Sequence, residues 1–210
     1  MIKVKVCGLT GVENATRVWD GGADYLGFIA YPASKRYVGD DPGALFNALS
    51  GKMRKIGVFV NDKPEKVKAW VKRFGLYGVQ LHGEEDPDTC NMISETGAKV
   101  IKAFRPGPGF DFSRIDDYRG ACDYILFDTP TTHYGGSGLK FQWNMLGDYG
   151  SGIPFFLSGG IGPGDIPLIR RLKHESLYAI DINSRFEILP GLKDTGLTDT
   201  FIKEIKNMDI

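Results

Sequence analysis

Apolar residues in this chain fall in short runs separated by longer stretches in which they recur every three or four positions. The short runs predict strands over residues 2–7, 25–29, 56–60, 78–82, 100–104, 124–128, 155–158 and 178–182. The repeat between them is roughly 25 residues, enough for one helix after each strand. Helix signals lie in the gaps. Thr10 and Glu13 have the spacing of a capping box before Ala15. Pro64 stands at a first turn ahead of Val67, Trp70 and Val71. Asp86-Pro87 opens the stretch holding Met92 and Ile93, and Pro163 precedes Ile166, Ile169 and Leu172. Thr198 is expected to start a last helix with Phe201, Ile202 and Ile205 on one face.

Strands that alternate with helices imply right-handed crossovers and a parallel sheet. The α/β pattern over residues 1–210 fits a single-domain (β/α)8 TIM barrel at the small end of its size range. An open doubly wound sheet is the alternative. Its glycine fingerprint is missing from the first turn, which reads Cys7-Gly8-Leu9-Thr10.

Lys plus Arg and Asp plus Glu both number 26, so the formal net charge is zero. No broad basic field exists to hold nucleic acid. Three cysteines, with no C-x-x-C pair and no metal-ligand spacing, read as a reduced, cytoplasmic protein. The first ten residues read as a strand and lack the apolar core of a signal peptide, and no apolar run reaches the length of a membrane span.

In a barrel, chemistry belongs at the C-terminal ends of strands. The unusual polar residues fall there: Cys7, Gln80, His82, Asp128, Ser158-Gly159-Gly160, Asp181 and Asn183-Ser184. With a period of two, Lys5 and Cys7 share the face opposite Val4 and Val6 and point into the barrel. A nearby cation lowers a thiol pKa. A buried, inert cysteine is equally compatible with that position. Asp128 closes an apolar strand, on a face that lets it point toward Lys5; a helix cap is the bland reading.

The strand ending at Ser158 runs into Gly159-Gly160, with Pro163 shortly after. Glycines allow close backbone approach, and turns after strands seven and eight commonly hold phosphate in barrels. Arg36 lies in a basic loop after the second strand, where a guanidinium can clamp a carboxylate or simply be solvated. The glycine-rich segment around Gly135, Gly136 and Gly138 suits a lid or a connector equally.

Together these residues resemble the phosphoribosylanthranilate isomerase family over nearly the whole chain. The match runs through Lys5-Val6-Cys7-Gly8-Leu9-Thr10, Ser34-Lys35-Arg36-Tyr37, Val79-Gln80-Leu81-His82-Gly83, Asp128-Thr129, Leu157-Ser158-Gly159-Gly160, and Pro190-Gly191 with Lys193-Asp194. The resemblance implies an Amadori rearrangement of N-(5-phosphoribosyl)anthranilate with Asp128 as general acid and Cys7 as general base. It places the anthranilate carboxylate on Arg36, the phosphate on the Gly159-Gly160 and Asn183-Ser184 turns, and Asp181 near the sugar hydroxyls. It implies a small-molecule substrate, no metal or organic cofactor, and a monomer or homodimer. The roles call for an Asp128 pKa above, and a Cys7 pKa below, the ordinary values.

One departure is local. Many members follow Asn183-Ser184 with Gly-Val-Glu; this chain reads Arg185-Phe186-Glu187. Two other readings compete. An indole-3-glycerol phosphate synthase-type barrel would need a catalytic lysine and glutamates at inward strand ends, and an epimerase-type barrel would need metal-binding histidines. A non-catalytic sugar-phosphate-binding barrel would keep the phosphate turns but need neither Cys7 nor Asp128.

Overall fold

The computed structural model describes residues 1–129 and 143–208. The glycine-rich segment around Gly135, Gly136 and Gly138 lies outside the described residues. Eight strands close a fully parallel barrel in chain order: β1 (Lys3–Val6), β2 (Tyr25–Ile29), β3 (Lys55–Phe59), β4 (Gly78–Leu81), β5 (Lys99–Phe104), β6 (Tyr124–Phe127), β7 (Phe155–Leu157) and β8 (Leu177–Ile182). β8 pairs with β1 to close it, setting Lys5 beside Asp181. Most predicted strands extended one residue too far at the C-terminal end. Those residues still bond to the ladder: the amides of Cys7, His82, Asp128 and Ser158 donate to Ile182, Phe59, Phe104 and Phe127 carbonyls at 2.8–2.9 Å. The sheet therefore fixes the backbone of each.

Side-chain alternation divides the core in two. Outward residues such as Val4, Val6, Phe28, Val79, Val100 and Phe127 pack under the helices. Inward residues Tyr25, Ile56, Ile101, Leu126, Phe156 and Ala179 fill the barrel's lower half. Tyr25 and Tyr178 close the floor with a hydroxyl contact of 2.6 Å. This apolar plug leaves only the C-terminal mouth for polar side chains.

The outer layer holds α1 (Val12–Asp20), α2 (Gly43–Ala48), α3 (Pro64–Phe74), α4 (Pro87–Ser94), α5 (Ile166–Arg171) and α6 (Thr195–Lys206). The Thr10/Glu13 capping box does not form. α1 starts after Gly11, and the Thr10 hydroxyl instead donates to the Gly191 carbonyl at 3.1 Å. α6 starts a turn earlier than Thr198, because the Asp194 carboxylate caps it by accepting from the Leu197 amide at 3.0 Å. Asp86 and Pro87 begin α4 as expected. 3-10 segments at Phe112–Tyr118 and Trp143–Asp148 stand after β5 and β6. An antiparallel hairpin of β9 (Glu187–Leu189) and β10 (Leu192–Lys193) follows β8. No helix among the described residues is long and apolar enough to cross a membrane.

Candidate active site

The barrel mouth is a cleft lined by Cys7, Gln80, His82, Asp128, Ser158, Gly159, Gly160, Asp181, Asn183 and Ser184, with Arg105 and apolar Ile29 and Val58. All the strand-end residues singled out from the sequence meet there. Arg36 stands beside it, with its stem packed over Gly8.

Cys7 is 4% exposed. Its sulfur fits because residue 27 is glycine: a β-carbon there would lie 2.8 Å from Sγ. Directly below, Lys5 donates to both Asp181 oxygens at 2.9 Å, and both side chains are buried. Burial works against the Lys5 charge, yet the Asp181 and Cys7 charges outweigh it and hold its pKa above the ordinary value. Burial also pushes the Cys7 thiol up. Lys5 and Lys193 pull it back, but Asp181 opposes them, and the net direction is upward. The expected lowering is overturned because burial of the thiol outweighs the pull of Lys5, whose charge Asp181 shares.

Asp128 is not paired with Lys5. Its Oδ2 lies 3.1 Å from His82 Nε2, and its Oδ1 accepts from the Thr129 amide at 2.8 Å. Burial alone would raise this carboxyl. The His82 hydrogen bond and charge, the Thr129 amide and Arg105 outweigh that and hold it below the usual carboxylate range, contrary to expectation. Gln80 Nε2 lies 2.7 Å from His82 Nδ1, so Gln80, His82 and Asp128 form one chain across β4 and β6. His82 thus presents its Nε2–H to Asp128. Arg105 donates to the His82 carbonyl at 2.6 Å. The buried pair Lys102–Glu85 steadies the turn after His82, since Glu85 accepts from the Asn61 and Gly83 amides.

At the other side of the mouth Gly159 and Gly160 have φ of 94° and 68°, a region that favours glycine. Among the described residues, the amides of Gly159, Gly160 and Ser184 donate to no other group. The expected helix start is displaced. A 3-10 turn, Pro163–Asp165, precedes α5, and the Asp165 carboxylate already accepts from the Gly162 amide at 2.8 Å. An anion site here rests on the turn amides more than on a helix dipole.

Arg36 is clamped. Its Nε and Nη2 donate to Glu187 at 2.8 and 2.6 Å, and Lys193 Nζ lies 2.8 Å from the same carboxylate. The sequence motifs give Arg105 no site role, and they show Glu187 and Lys193 only as motif residues without one. Arg105 was findable, being the first residue past β5. The contact of Glu187 and Lys193 with Arg36 was not, because they sit on a short hairpin far along the chain from it.

A closed parallel barrel that gathers its carboxylate, thiol and glycine turns at the C-terminal mouth has the layout of a (β/α)8-barrel enzyme. Residues 4–204 match the family described as N-(5'phosphoribosyl)anthranilate (PRA) isomerase. A protein of Phocaeicola vulgatus named N-(5'-phosphoribosyl)anthranilate isomerase is 43% identical over 203 residues, covering 97% of each chain. The crystal structure of phosphoribosyl anthranilate isomerase from Thermotoga maritima has a TM-score of 0.86 at 38% identity, covering 98% of this chain and 99% of its own. A further crystal structure of a phosphoribosyl anthranilate isomerase, in complex with reduced 1-(o-carboxyphenylamino)-1-deoxyribulose 5-phosphate, has a TM-score of 0.83 at 35% identity, with the same coverage. The chain belongs to the N-(5'-phosphoribosyl)anthranilate isomerase family. It is an isomerase of tryptophan biosynthesis.

Proposed function

We propose that this chain, as one catalytic domain over residues 1–210 working in the cytoplasm, rearranges N-(5-phosphoribosyl)anthranilate to 1-(2-carboxyphenylamino)-1-deoxyribulose 5-phosphate, with Asp128 as general acid and Cys7 as general base. The observation that carries this reading is the meeting of Cys7 and Asp128 in one cleft, from the ends of the non-adjacent strands β1 and β6. Asp128 protonates the ring oxygen. The C1′–O bond breaks as the anthranilate nitrogen lone pair forms the C1′=N iminium. Cys7 Sγ takes the C2′ proton, and that electron pair makes the C1′=C2′ enolamine while neutralising nitrogen. Return of a proton to C1′ and loss of one from the C2′ hydroxyl give the ketone. Asp181 lies below, within reach of sugar hydroxyls, and Gln80 and His82 orient Asp128.

The pKa directions put the resting pair in the opposite state, a thiol beside a carboxylate. Two features of the bound substrate reverse it. Its phosphate and carboxylate charges raise Asp128 toward protonation, and the iminium cation stabilises the thiolate beside C2′. Turnover therefore draws on a minor form of the free enzyme. Between the two pKa values, each pH unit that increases thiolate decreases protonated Asp128 by the same factor. Once corrected for the substrate phosphate, which itself titrates at about pH 6, kcat/KM should hence be flat through neutral pH. It should fall on the acid side only below the usual carboxylate range, and on the alkaline side only above the ordinary thiol value. A narrow optimum centred on histidine titration is the opposing outcome.

The phosphate is assigned to the amides of Gly159, Gly160 and Ser184, which adjacent turns after β7 and β8 present together. Both turns are fixed by the barrel, so inorganic phosphate should compete with substrate. Gly160→Asp should weaken phosphate and substrate alike by setting a carboxylate where the dianion sits. Failure of phosphate to compete would move the site. The function itself is tested by adding the enzyme to freshly made phosphoribosylanthranilate and following loss of its fluorescence. Rapid loss is expected, and binding without loss would mark a non-catalytic sugar-phosphate barrel.

A further inference from the structure

We infer that Glu187, held by Lys193 on the β9–β10 hairpin, is the positioning residue that aims Arg36 at the substrate carboxylate; this rests on the proposed function and on Arg36 binding that carboxylate, as the family resemblance implies. The Glu187 side chain is 4% exposed and Lys193 is 0% exposed. Glu187 accepts from the Nε–Nη2 edge of Arg36, which fixes the guanidinium plane. Its Oε1 also accepts from Lys193 at 2.8 Å and from the Gly191 amide at 3.1 Å. Lys193 is anchored in turn. Its backbone exchanges two hydrogen bonds with the Asn14 amide, at 2.9 and 2.8 Å, and its Nζ donates to Asn183 Oδ1 at 2.7 Å. The Arg36 stem lies on Gly8, where a β-carbon would come within 2.5 Å of its Cδ. Arg36 is thus gripped at both stem and head, next to Cys7.

Charge explains why Lys193 belongs to the device. Arg36 and Glu187 alone would cancel and offer nothing to an incoming carboxylate. With Lys193 sharing Glu187, two cations face one anion, and one net positive charge remains for the ligand. A loop arginine so held loses little side-chain entropy on binding.

The sign of one substitution separates aiming from mere neutralisation. Glu187→Gln keeps shape and volume but turns one acceptor into a donor facing Arg36 or Lys193. If Glu187 only damped the cationic charge, the variant would bind the anionic substrate more tightly. If it aims Arg36, KM rises despite the added positive charge, by roughly tenfold, with kcat changed much less. Inhibition by inorganic phosphate should stay within about twofold of wild type, since that end of the site is untouched. In the Arg36→Met background, Glu187→Gln should no longer raise KM. A lowered or unchanged KM for Glu187→Gln overturns the inference. So does a rise that persists without Arg36, or one accompanied by loss of phosphate inhibition. An unchanged KM for Arg36→Met alone overturns both this inference and the carboxylate assignment beneath it.

Discussion

Cys7→Ser is expected to lower kcat by roughly 10²–10⁴ or more while leaving product affinity nearly intact. The sulfur sits in a buried slot cleared by Gly27, so an isosteric, smaller hydroxyl disturbs no packing. A serine hydroxyl is a far weaker acid than a thiol. Neither Lys5, already engaged by Asp181, nor the iminium can create a useful alkoxide fraction near neutrality. The alternative, that Cys7 is only a small buried hydrophobe, predicts near-normal turnover. Product binding and kcat, measured on the same preparation, decide between them.

Asp128→Asn is expected to be slower by a similar factor, because the amide keeps the shape but has no proton for the ring oxygen. Its Oδ1 can still accept from the Thr129 amide, so the loop start should hold. The carboxylate bonded to His82 is replaced by a neutral group, and the acid-side fall of the pH profile should vanish with it. Retention of most activity would assign ring opening to another acid, with His82 the nearest candidate.

How much of this was legible beforehand depends on which interactions are local. The eight strands read directly from apolar runs, and β2 matched to the residue. The strand-end rule collected Cys7, Gln80, His82, Asp128 and Asp181, because an alternating strand in a closed barrel has nowhere else to put polar side chains. It applies equally to Arg105, one residue past β5 and also lining the cleft. α2 escaped because Gly43–Ala48 follows Pro42 without a side-chain cap and is too short to show a period. The Arg36–Glu187 clamp joins residues 151 positions apart, and no spacing within the chain announces it. The pKa directions were misread for the same reason. They are decided by how deeply Cys7 is buried and by which carboxylate takes Lys5 and which takes His82, and the pairings are set by β1 closing on β8 and by β4 and β6 flanking β5.

The central claim is that Asp128 and Cys7 act at two successive steps, ring opening and then C2′ proton removal. Substrate carrying deuterium at C2′, turned over by Cys7→Ser and by Asp128→Asn, tests it most directly. With the base crippled, C–H cleavage limits the rate, and Cys7→Ser should show a full primary isotope effect. With the acid removed, ring opening limits, and Asp128→Asn should show none. Equal isotope effects in the two variants, or the reverse assignment, would contradict the account.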